Sequence, residues 1–254
     1  MRFLYFGTSA FFALGLTLAS ANAASIVVNA SDVIYAVGAQ FTEAGATGGT
    51  VPVSIALPSG ATSISFSSVT GSITAGCASS EGCVTINGSG NLNDADGNYA
   101  AVGTSSNTGY GAISGITAPG AGYLVGVFVA DGGPAGPTPM ALDYTSSSST
   151  SSGSYSPLLD QVFFIGDGLT GDGTGTEQVF NIPTAAGALY LGISDANSYN
   201  GSPGSYGDNH GAFTADYSIT GTSTPPSGVP EPASLMLLGS GLAGLLFARR
   251  FRKA

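Results

Sequence analysis

Between Ser25 and Gly221 no stretch of the chain repeats its apolar residues with a helical period, and this restricts the region to strands. Glycine, serine and threonine are frequent there, while the good helix formers Lys, Arg, Glu and Leu are scarce. Apolar residues alternate with small or polar ones at Val51, Val53, Ile55 and Leu57, at Ile64 and Phe66, and at Phe213, Ala215, Tyr217 and Ile219. A period of two describes a strand with one face buried and one wet. Three continuous apolar runs, Tyr123 to Val129, Gln161 to Ile165 and Ala188 to Ile193, read as central strands covered on both faces. Turn sequences punctuate them: Pro58-Ser59-Gly60, Asn87-Gly88, Asp131-Gly132-Gly133 and Gly166-Asp167-Gly168. About ten to twelve such strands predict an all-β fold, a single jelly-roll-like β-sandwich, with a small barrel as the alternative. The Ser/Thr-rich stretch 145–154 reads as a flexible loop.

Charge is distributed unevenly over the 254 residues, whose formal net charge is −10. The five basic residues, Arg2, Arg249, Arg250, Arg252 and Lys253, all lie at the ends, and the fifteen acidic ones lie between Asp32 and Glu231. That interior has no cation to meet a phosphate, which excludes a nucleic-acid binder. It also argues against an enzyme that clamps phosphates with Lys or Arg.

The ends read as addresses. Met1-Arg2, an apolar run to about Leu18 and the small residues Ala21 and Ala23 form a signal peptide over 1–23, with cleavage expected after Ala23. The body then occupies 24–221 and a Pro/Ser/Gly linker 222–228. In an exported chain the only two cysteines, Cys77 and Cys83, are expected to form a disulfide. A loop this short stabilises by roughly 2–2.5 kcal/mol. Region 229–254 holds Val229-Pro230-Glu231-Pro232, an apolar stretch from Ala233 to Ala248, and the cluster Arg249-Arg250-Phe251-Arg252-Lys253. As a short apolar transmembrane helix the middle part reaches about 24 Å, slightly less than the hydrocarbon thickness. The basic cluster stays on the cytoplasmic side.

Those three parts, in that order, resemble the PEP-CTERM sorting signal of Gram-negative bacteria. The same segment also goes by the label of an ice-binding-protein C-terminal domain, which does not imply ice binding. The resemblance implies that the chain is a substrate of exosortase, a membrane transpeptidase that recognises and cuts near Pro230, Glu231 and Pro232. It further implies anchoring in the inner membrane during sorting, then a cell-surface or exopolysaccharide location. An ordinary tail anchor is the alternative.

Within the body, the segment from Leu189 to Ile219 holds the candidate chemistry. A strand ends at Asp195, a Gly/Ser/Asn-rich loop follows, and another strand begins near Ala212. Side-chain oxygens stand at Asp195, Asp208 and Asn209, and a hard cation such as Ca²⁺ takes six to eight oxygens. Two carboxylates without a basic partner repel each other, and a divalent cation relieves this. The segment resembles the calcium-binding strand–loop–strand of bacterial galactose-specific β-sandwich lectins. The matching residues are Asp195, then Gly204-Ser205-Tyr206-Gly207-Asp208-Asn209, then Gly211-Ala212-Phe213. The resemblance implies a calcium site of Asp195, Ser205 (through its carbonyl), Asp208 and Asn209, completed by sugar hydroxyls. The loop is longer here, and an acid replaces an amide at Asp208. A polar hairpin loop that binds nothing is the alternative.

Asn93-Asp94-Ala95-Asp96-Gly97-Asn98 resembles the first half of an EF-hand loop without its closing Glu. Asp94 and Asp96 are possible additional metal ligands if that turn folds against the Asp195 loop. Gly166-Asp167-Gly168 and Gly171-Asp172-Gly173 hint at glycine-rich calcium turns but read more simply as solvated loops. The single histidine, His210, sits inside the candidate metal loop, and no Gly-x-Ser-x-Gly elbow accompanies it. The chain is therefore expected not to be an enzyme. It reads as a surface protein that binds carbohydrate with calcium, or as a spacer without a specific ligand. A glycan-active hydrolase, which needs two carboxylates paired in a cleft, is the third reading.

Overall fold

A computed structural model describes residues 22–37, 48–74, 94–97, 103–196 and 199–221. Ala21, the Asn87-Gly88 turn, Cys77 and Cys83 lie outside these residues, as does the C-terminal segment with Pro230, Glu231, Pro232, Arg249, Arg250 and Arg252. The chain divides into two units, Met1–Thr222 and Ser223–Ala254. Among the described residues no helix is long and apolar enough to cross a membrane.

Fifteen strands form in the described residues. They are β1 (Asn22–Asn29), β2 (Val53–Ala56), β3 (Ala61–Thr74), β4 (Ser105–Tyr110), β5 (Ile113–Ala118), β6 (Leu124–Ala130), β7 (Leu142–Asp143) and β8 (Ser154–Tyr155). Then come β9 (Val162–Phe164), β10 (Leu169–Gly171), β11 (Thr174–Glu177), β12 (Val179–Asn181), β13 (Ala186–Ile193), β14 (Asn200–Gly201) and β15 (His210–Gly221). One sheet runs β1-β15-β3-β12-β8 and another β2-β13-β6-β9. A third runs β14-β4-β5-β7, and β10 and β11 form a separate hairpin.

The sandwich is legible in eight of these strands. Counted 1 to 8 along the chain, β1, β2, β3, β6, β9, β12, β13 and β15 give sheet orders 1-8-3-6 and 2-7-4-5. Every neighbouring pair among them is antiparallel. This is the double Greek key of a jelly roll. The strand count exceeds the expected ten to twelve through β7, β8 and β14, which have two residues each. Pieces so short carry no period of two for a sequence to display.

The two sheets meet through an aromatic row. Phe128 stacks on Phe163 at 5.2 Å, Phe163 meets Phe180 at 5.2 Å, and Phe180 meets Phe66 at 5.9 Å. All four are fully buried. Each pair adds about 0.5–1.5 kcal/mol beyond its buried area. Gly126 leaves room for this row: a Cβ there would stand 2.8 Å from Phe163 Cζ and 2.9 Å from Ile165 Cδ1.

Two expectations change. The run from Gln161 to Ile165 contains β9, which lies at the end of its sheet rather than in the centre. It is apolar because β5 covers it; Val162 N–H donates to Ser114 Oγ at 2.9 Å. The Ser/Thr stretch is ordered, with a helical turn α1 (Ser147–Thr150) followed by β8. Buried Gln178 donates through Nε2 to Thr150 O (2.6 Å) and Ser152 O (3.0 Å), and Tyr155 Oη donates to Ser149 O (2.7 Å). These anchors come from outside the stretch or its edge, so composition alone does not reveal them.

Candidate functional site

β13 is a central strand, paired with β2 on one side and β6 on the other. It delivers Asp195 two residues beyond its end at Ile193, and the connection returns to β15 at His210. Asp195 is 6% exposed. Its main chain is held at both ends. The N–H donates to Tyr206 Oη (3.0 Å), which itself donates to Ile193 O (2.9 Å). The carbonyl accepts from Asn107 Nδ2 of β4 (2.6 Å). In the side chain, Oδ1 accepts from Ala196 N–H (2.8 Å) and Oδ2 from Asn209 Nδ2 (3.0 Å).

Burial pushes the Asp195 carboxyl up to about 7, and the charge of Asp208 adds to this, against the bonds from Asn209 and Ala196. Beneath it lie three buried tyrosines, Tyr35, Tyr123 and Tyr206. Tyr35 Oη and Ser194 Oγ are 2.8 Å apart. Burial pushes all three phenols up, so each stays neutral.

Ser205 adopts φ 67°, a left-handed conformation unusual for a residue with a Cβ. It turns the chain into a short 3-10 segment, Tyr206–Asp208. Asp208 N–H donates to Ser205 O (3.4 Å). Asn209 is 6% exposed, and its Nδ2 also reaches Ala30 O (3.2 Å). Asp208 Oδ1 and Asn209 Oδ1 are both buried without a hydrogen-bond partner. An unsatisfied buried polar atom costs about 1–3 kcal/mol, and here two lie in adjacent residues beside a second buried carboxyl, that of Asp195. A carboxylate pair, an amide oxygen and a main-chain carbonyl are the hard oxygen donors that Ca²⁺ accepts. Asp195, Ser205, Asp208 and Asn209 stand on one short connection, and they are the residues there that could hold such a cation; Asn209 turns its Nδ2 toward Asp195, and the Ser205 carbonyl accepts from Asp208 N–H.

The clamp on Asp195 was not legible. Asn107 lies 88 positions away, and nothing in its surroundings announces the contact. Tyr206 stands within the lectin-like motif, but only the fold shows its hydroxyl bridging Ile193 and Asp195. Tyr206→Phe is expected to strand the buried Asp195 N–H and lower stability by about 1–3 kcal/mol. The check is a thermal melt in EDTA, where a wild-type midpoint in the variant would dismiss the clamp.

Asp94 and Asp96 belong to a different place. The groups acting on the Asp195 carboxyl are Asn209, Ala196 and Asp208, and neither of these aspartates is among them. They face Asp167 and Asp172 instead, so the EF-hand-like turn and the two Gly-Asp-Gly turns meet. Asp167 N–H donates to Asp96 Oδ1 (3.1 Å), and Asp96 N–H to Asp94 Oδ1 (3.2 Å). Asp167 also accepts from Leu169 N–H (2.8 Å) and Gly173 N–H (2.7 Å). Burial pushes Asp96 up to about 7, with the charges of Asp167, Asp94 and Asp172 adding to the effect. Asp96 and Asp172 line a cavity of about 250 Å³ with Phe164 and Leu169.

Residues 228–253 match the family model of the PEP-CTERM protein-sorting motif. The chain carries that motif, which marks an exported protein sorted by exosortase through a membrane-anchored stage to the surface. No curated protein and no solved structure matches the chain.

Proposed function

We propose that the body is a non-catalytic, calcium-assisted carbohydrate binder, delivered by its sorting motif to the cell surface or to exopolysaccharide. The observation that supports this is the pair of buried, unpartnered oxygens of Asp208 and Asn209 beside the buried Asp195 carboxyl. Asp195, Asp208, Asn209 and the Ser205 carbonyl would hold the ion. A bound Ca²⁺ supplies the charge this site lacks and leaves coordination positions for sugar hydroxyls. It also bridges the acidic body to anionic polysaccharide, which that body repels on its own. Retention of the exported chain on immobilised galactose and on an immobilised polyuronate is the test. Retention in calcium and release by EDTA are expected; equal retention in both would sink the calcium requirement.

A spacer without a specific ligand is the second reading, and one observation favours it. Among the described residues no group of three or more His, Cys, Asp or Glu side chains is placed to hold a metal. A spacer would be retained by neither sugar in any buffer.

A further inference from the structure

A cavity of about 270 Å³ opens between β7 and β8, and none of Asp195, Ser205, Asp208 and Asn209 lines it. Its apolar walls are Leu142, Tyr144, Tyr155 and Pro157. The surface beside it is open. Gln161, which also lines the cavity, accepts from Leu158 N–H (3.0 Å) and donates to Met140 O (2.8 Å), and those two residues are 58% and 85% exposed. Tyr155 presents a fixed aromatic ring. Its Oη donates to Ser149 O (2.7 Å) and accepts from Ser152 N–H (3.1 Å) and Gln178 Nε2 (3.3 Å). Phe180 stacks on one face of the ring, with 5.5 Å between centroids and 15° between planes, and Tyr144 is tilted against it at 6.0 Å. The hydroxyl is thus spent within the fold, and the half-buried ring offers the cavity carbon. A ring held this way loses little freedom when a ligand settles on it.

Asp143 and Ser156, both exposed, supply polar groups to the same cavity. Asp143 Oδ1 accepts from Thr145 N–H (2.9 Å), and the N–H and hydroxyl of Thr145 hold this carboxyl below the usual carboxylate range. It is therefore an anion that accepts hydrogen bonds. Ser156 Oγ accepts from Asn181 Nδ2 (3.0 Å) and keeps its own proton to donate. A sugar uses all three features: a C–H face for the aromatic ring, hydroxyls that donate to the carboxylate, and oxygens that accept from the serine. Charge narrows the class. No basic residue lies between Asp32 and Glu231, so a uronate, sulfate or phosphate meets only repulsion here.

We propose that this cavity is a second carbohydrate subsite, one that takes a neutral pyranose without calcium. It rests on the carbohydrate reading above for the class of ligand alone, since no residue of the calcium site takes part. The C–H face of the sugar lies on Tyr155, and its hydroxyls make charge-assisted hydrogen bonds to Asp143. A pyranose with equatorial hydroxyls fits best, because an axial hydroxyl interrupts one C–H face. A β-glucan presents such rings in series. One ring in so small a site is held weakly, and a polymer with many rings strengthens the attachment of a surface that carries many copies of the chain.

Affinity electrophoresis of the full chain through a soluble β-glucan tests this, in EDTA and in a detergent without a sugar head group. The wild type should be retarded. Asp143→Ala, at an exposed position, should melt as the wild type does and weaken binding roughly fivefold or more. Tyr155→Leu should abolish the retardation. Asp195→Asn combined with Asp208→Asn should bind the glucan as the wild type does, which separates this subsite from the calcium site. A wild type that runs unretarded in EDTA would overturn the subsite while leaving the calcium site untouched. Retardation unchanged in Asp143→Ala would overturn it as well. So would retardation lost in the Asp195 and Asp208 double variant, which would place glucan binding at the other site.

Discussion

In calcium at a hundred times the dissociation constant, the exported chain should melt about 5–10 °C above its midpoint in EDTA. A ligand bound only by the folded state contributes about 2.7 kcal/mol at that concentration, and each kcal/mol shifts a domain of this size by a few degrees. The effect depends on two carboxylates, Asp195 and Asp208, brought to one connection with no basic residue in the body to pair them. Asp195→Asn combined with Asp208→Asn preserves side-chain size and removes the charge that holds the ion. The double variant should therefore melt at the same temperature in calcium and EDTA. Coinciding melts of the wild type in both buffers would remove the metal from the site and leave the spacer reading in front.

Asp96→Asn should stabilise the protein at pH 8 and leave it nearly unchanged at pH 4, both in EDTA. The Asp96 carboxyl, half-buried and facing Asp94, Asp167 and Asp172, titrates at about 7 in the folded chain. In the unfolded chain it titrates near 3.9. Between those values the folded state holds a proton that the unfolded state has released, so stability falls as pH rises through the window. Above about 7 the loss is complete, and below about 4 it is absent. Each unit of displacement corresponds to about 1.4 kcal/mol. With solvent relaxation around a half-buried group, the gain at pH 8 is on the order of 2–3 kcal/mol. Melting curves at the two pH values decide it. An equal shift at both would mean that the cluster does not burden the folded state.

The alternation at Ile64 and Phe66 and at Phe213, Ala215 and Ile219 was readable because each of these residues buries its side chain while its neighbours meet water. The same logic misplaced β9: a continuous apolar run reports cover on both faces, but not whether another strand continues the sheet. Sheet order itself has no local signature, so the pairing of β1 with β15 emerges only from the fold. At the site, the residue types and spacing from Asp195 to Asn209 were visible because the motif is local. The hydroxyl of Tyr206 and the amide of Asn107 act through space on main-chain atoms, and no pattern along the chain marks them. The acidic turns show the reverse case: Asp94, Asp96, Asp167 and Asp172 were each visible, but their meeting was not.

The pairing of Ala24 with Tyr217 also sets an order of events. The first strand of the sandwich has its partner 193 positions later, near the end of the body. Contacts so distant in sequence close slowly, because the whole intervening chain must be confined first. During export the N-terminal segment therefore emerges long before β15 is available. The sandwich cannot finish until the last residues before the sorting signal have crossed. Completion of the fold is thereby timed to the moment when the sorting signal itself reaches the membrane.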